Sequence, residues 1–99
     1  MTDTRIRLME AIAGQRLVTT RYNGSDITLA PHLMFERNGD LFVVALNLSK
    51  NWRSEDEQRL GQFKLAGLGA TTLLEDGFEP LASYQPVAPH ADATLILAI

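Results

Sequence analysis

The sequence predicts a small, mainly β (α+β) domain: an antiparallel SH3-like or Sm-like barrel of about five strands with a helix at its N-terminal end. Three observations point there. Asn23-Gly24 and Asn38-Gly39 each separate runs of alternating apolar residues, and Asn-Gly accepts the positive φ that a tight hairpin turn demands. Alternation with a period of two marks the strands on either side of Asn23-Gly24, within residues 17–36, as in strands with one buried face. The remaining apolar runs are short and punctuated by glycine and proline, which suits several short strands rather than long helices.

The chain has 99 residues, of which 45% are hydrophobic and 21% charged. That is one ordinary globular domain, with a core too small for a wide stability margin. The expected layout is a helix over 4–13, a barrel over 17–75 and an extended arm over 76–99.

The helix rests on Ile6, Met9, Ile12 and Ala13 at helical spacing, with Leu8 beside them. Asp3 is the expected N-cap and Gly14 the expected stop. So short a helix needs an apolar surface to dock on. In the first strand, Val18, Thr20 and Tyr22 share one face. In the second, Ile27, Leu29, Leu33 and Phe35 alternate with Thr28, Ala30, His32, Met34 and Glu36. Pro31 lacks a ladder donor, so an edge, a bulge or a bend is expected there. The third strand, Leu41–Leu48, is apolar on both faces, as in a central strand. Residues 49–59 are polar and read as a mobile loop. Phe63 and Leu65 mark a fourth strand and residues 71–74 a fifth. Pro80, Pro86 and Pro89 make 78–91 an extended arm. The apolar run 94–99 is a hazard if left as a free edge, so it should pair with this sheet or with a second subunit.

A net charge of −3 disfavours non-specific duplex-DNA binding. There is no cysteine, which removes disulfides, thiol catalysis and cysteine-based zinc sites. With no signal-peptide pattern and no membrane-length apolar run, the expected location is the cytoplasm. His32 and His90 have no metal-ligand spacing. Glu55-Asp56-Glu57 reads as a solvated acidic run. No nucleophile elbow, P-loop or zinc-protease helix is present. The expectation is a non-enzymatic protein with no metal and no cofactor.

The order of short motifs resembles the WYL-domain family, in particular its short stand-alone bacterial members. The matching pieces are Ala11-Ile12, Val18, Arg21-Tyr22-Asn23-Gly24, Ala30-Pro31-His32-Leu33, Asn38-Gly39-Asp40-Leu41-Phe42-Val43, Phe63-Lys64-Leu65 with Leu68, and then Phe78, Pro80 and Tyr84. The resemblance implies an Sm-like barrel acting as a ligand-sensing module. It also implies nucleotide-like or single-stranded nucleic-acid ligands bound through basic and aromatic residues. This chain departs from the pattern in places. The name-giving triplet reads Leu41-Phe42-Val43, and Gly61 and Gly67 stand where the family carries basic residues. Lys64 keeps one basic position, and Arg59 is the expected compensation.

The candidate ligand-binding residues are Tyr22, His32, Trp52, Arg53, Arg59 and Lys64. Tyr22 offers a ring on which a base can stack. His32 offers a donor to an anion. Trp52-Arg53 is an aromatic-basic pair suited to an interface. The competing expectation is an oligomerising interaction domain that has lost the anion site, its contacts made by Leu41–Leu48 and Leu95–Ile99.

Overall fold

The computed structural model describes residues 4–99. Helix α1 (Thr4–Gly14) precedes β1 (Arg16–Tyr22), β2 (Ser25–Arg37), β3 (Asp40–Asn47), β4 (Gly61–Lys64), β5 (Leu68–Gly77) and β6 (Thr94–Ala98). The expected N-cap, Asp3, lies outside the described residues. At the other end of α1 the left-handed residue is Gln15 (φ 51°), not Gly14; the Gln15 amide closes the last turn onto Ile12 O at 3.3 Å.

The strands form one six-stranded antiparallel sheet in the order β4-β3-β2-β1-β5, with β6 on β2. Both Asn-Gly turns adopt the expected geometry: Asn23 and Gly24 have φ of 51° and 77°, Asn38 and Gly39 of 53° and 82°. The expectation of a closed barrel is corrected. β4 and β5 share no ladder among the described residues. A 3-10 turn, Leu65–Gly67, takes the chain from one sheet end to the other. The sheet curls far enough for Tyr22 of β1 to meet Phe63 of β4 edge-on, ring centroids 5.4 Å apart, yet stays open.

β2 runs through Pro31 without a break, at the cost of a bulge. Pro31 pairs with Ala45 and Leu33 with Val44, so His32 is one residue more than β3 can match. The extra residue reverses the side-chain alternation. Ile27, Leu29 and Met34 pack on the α1 side with Val18, Val43 and Ala45. Phe35 points the opposite way and stacks on Phe42, centroids 5.1 Å apart and 9° from parallel. The sequence pattern had grouped Leu29 with Leu33 and Phe35; the bulge separates them.

One edge of β2 is divided between two partners. β1 pairs with residues 25–29 and β6 with residues 33–36. Pro31 sits in the interval between them, where its missing N–H removes no ladder bond.

Two layers of apolar packing result. On the α1 side, Leu8, Ala11 and Ile12 are buried against the sheet. The buried stripe is therefore centred one position away from the expected Ile6-Met9-Ile12-Ala13 face: Ala13 is exposed and Ile6 is 49% exposed. On the other side, the segment 78–93 crosses the sheet, and the His90 ring lies edge-on to Phe35 at 5.8 Å. Its end is tied by Arg37 Nε and Asp92 Oδ1 at 2.9 Å. The apolar tail thus pairs within its own chain.

Candidate functional site

The predicted site residues do not converge. Tyr22 is half-buried against Phe63 on the α1 side of the sheet. Lys64 is on the other face, exposed, its Nζ 3.3 Å from Asp40 Oδ2. Trp52 folds back onto its own loop: its indole donates to Asn47 O at 2.9 Å, and Lys50 Nζ lies 4.8 Å from the ring centroid. Arg53 is exposed, and its main-chain N–H donates to Glu57 Oε2. Arg59 donates to Asp56 O and Gln58 O at 2.8 and 3.0 Å. These contacts, with a 3-10 turn at Glu55–Glu57, tie down the loop 49–59.

His32 requires a correction. Expected to offer a donor to an anion, it is fully buried. Nδ1 lies 2.7 Å from Ala30 O, and Nε2 accepts the Leu81 N–H at 3.1 Å. Phe78 and Tyr84 flank the ring, each with centroids 5.0 Å away. Burial pushes the imidazole below its ordinary 6.5, and the bond to Ala30 offsets part of that shift. A histidine with both nitrogens engaged inside the fold offers nothing to an incoming anion.

Arg59 lines a cleft of about 220 Å³ between the loop and the arm, with Glu55, Asp56, Gln58 and Leu81. The adjoining cleft of about 350 Å³ adds Glu79 and Pro80. Carboxylates outnumber the guanidinium here, which opposes a phosphate. Other cations already face acids or carbonyls: Arg21 with Asp26, Arg37 with Asp92, and Arg16 Nε on Leu74 O at 2.7 Å.

The arrangement better suited to binding is apolar. A groove of about 470 Å³ lies where α1 meets the β2–β3 hairpin and β6. Ile6, Met9, Met34, Leu41 and Ile96 line it, with Arg5 and Glu36 at the polar margin. Ile6 and Ile96 remain 49% and 42% exposed. Half-exposed aliphatic side chains around a concavity give it an apolar lining with a polar margin. The sequence carried one usable signal: α1 has more apolar residues than one buried stripe needs. Ile96 and Leu41 became part of the groove only through long-range strand pairing.

No family model matches the chain, and no curated protein matches it. Among solved structures, it is similar to proteasome accessory factor B/C (PafBC) of Arthrobacter aurescens, with a TM-score of 0.65 at 16% identity. The likeness covers 83% of this chain and 13% of that one. The chain thus spans a small part of that protein's length, and what the two share is the fold.

Proposed function

We propose that this domain is a non-enzymatic regulatory binding module of WYL-like fold, and that it engages a partner protein through the groove between α1, the β2–β3 hairpin and β6. The observation that carries this reading is the exposure of Ile6 and Ile96 around that concavity. The fold likeness to an accessory factor supports a role exercised through another macromolecule. The placement of His32 supports a non-catalytic reading, since in the closed fold both ring nitrogens are engaged by main-chain groups and neither faces a cleft.

Nucleotide or single-stranded nucleic-acid binding is the less supported version, because Tyr22, Arg59 and Lys64 face different environments. A homo-oligomer is the second reading, since the same half-exposed residues could meet a second copy. A shift-mapping titration of the isotope-labelled domain tests these readings. Amphipathic peptides are expected to move the amides of Ile6, Met9, Leu41 and Ile96, while mononucleotides and a short oligothymidine leave them in place. Oligonucleotide-induced shifts at Arg53, Arg59 and Lys64, with a silent groove, would replace the protein-partner reading. Light scattering decides the oligomer.

A further inference from the structure

We infer that His32 is a proton-operated latch: as the neutral ring it holds segment 78–84 and the end of β6 against the sheet, and on gaining a proton it lets them go.

The geometry admits only one form of the ring. Ala30 O can only accept, so Nδ1, 2.7 Å away, carries the hydrogen. The Leu81 N–H can only donate, so Nε2, 3.1 Å away, presents its lone pair. A second proton has to enter on Nε2, where it would face another donor. The imidazolium and the Leu81 hydrogen bond are mutually exclusive.

Several attachments meet at this residue. Phe78 and Tyr84 hold the ring from two sides. The Tyr84 hydroxyl lies 3.2 Å from His32 O and 3.1 Å from Ile99 O. The Ile99 amide donates to His32 O at 3.1 Å. Because His32 is the bulged residue of β2, its main chain is free of the β3 ladder and can hold the arm and β6 together.

Among the described residues no charged side chain pairs with the ring. Tyr84 is the titratable group in ring contact, and its hydroxyl faces main-chain oxygens. Glu79 is exposed on the arm, and Glu55 and Asp56 line the clefts beside Leu81. β3 presents Val44 and Ala45 opposite the bulge, and β6 carries no ionisable side chain. No ion pair involves His32 among the described residues. The folded state therefore binds the proton less readily than the open state, and closure weakens as pH falls through 6.5.

Release stays local. His90 Nε2 and Gln62 Oε1 are 3.0 Å apart, a second attachment that does not involve His32. The guanidinium of Arg37 holds the Asp92 carboxyl below the ordinary carboxylate range, so that tether stays charged in mild acid. The far end of the arm remains attached while 78–84 opens.

Amide exchange on the whole domain tests this. One proton taken up per opening predicts that protection at Leu81, Tyr84 and Ile99 falls between about pH 7.5 and about pH 5.5, with about tenfold as the ceiling. Val18 and Val43 should keep theirs. Tyr84→Phe should lower arm protection at both pH values and preserve the ratio, whereas His32→Gln should bring the ratio close to unity. If His32→Gln does not fold, the ¹⁵N titration of His32 in the native domain decides: its protonation must track arm opening. Arm amides that stay protected while the ring protonates, or a loss of protection shared equally by β1 and β3, would overturn the latch.

Discussion

The reversal of side-chain facing at His32 makes a prediction that the simple alternation of β2 contradicts. With the bulge, Phe35 belongs with Phe42 and not with the helix-side cluster of Leu8, Ile12 and Leu29. Phe35→Leu keeps an apolar side chain but removes a ring that is fully buried and stacked. The lost volume costs about 1–2 kcal/mol, between the loss of one methylene and truncation to alanine, and the lost ring pairing adds about 0.5–1.5 kcal/mol. A domain of this size has about 5–15 kcal/mol of stability, so the variant stays folded and measurable. Phe42 is half-buried, so Phe42→Leu should cost less. The decisive quantity is the coupling in urea-denaturation cycles. Phe35 and Phe42 should couple by about 0.5–1.5 kcal/mol, and Phe35 with Ile12→Val by no more than about 0.5 kcal/mol. If Phe35 couples to Ile12 and not to Phe42, β2 has no face reversal and the account of both layers fails.

Other substitutions probe separate parts of the molecule. Thr20→Val removes the buried contact between Thr20 Oγ1 and Thr71 Oγ1, 2.9 Å apart; Thr71 retains Gly69 O, so a loss of about 1 kcal/mol is expected in chemical denaturation. Gly39→Ala forces a side chain into φ +82° and should destabilise by at least about 1 kcal/mol, read as a lower thermal midpoint. Lys64→Ala breaks an exposed ion pair and should cost under about 1 kcal/mol, decreasing with added salt. A Cβ at Gly67 meets nothing within 4 Å, so Gly67→Arg should change stability by no more than about 0.5 kcal/mol. Gel-shift assays at low salt would show whether that added cation confers oligonucleotide binding.

The hairpins were legible because their cause is local. Asparagine and glycine at 23–24 and 38–39 set the turns, and a period of two marked the strands on either side. Pro31 likewise announced an irregularity. Its form was not legible, because a bulge is defined by how many residues the opposite strand supplies. The site was less legible for the same kind of reason. His32 looked polar and available in a strand read on its own. It is buried because a segment about fifty residues later in the chain lays Phe78, Leu81 and Tyr84 over it. Arg59 is the expected compensation for missing cations beside Lys64; in space one contacts carbonyls of its own loop and the other faces Asp40. The groove needed residues from α1, the hairpin and β6 at once, and no window of sequence contains them together.

The divided edge of β2 has a consequence for biosynthesis. Residues 25–37 are synthesised before residues 94–98, so if β1 docks on β2 first, the neighbouring slot on that edge stays vacant until the chain is finished. Any extended apolar segment that reaches this slot first competes with the native tail, which makes it the place where misassembly would begin.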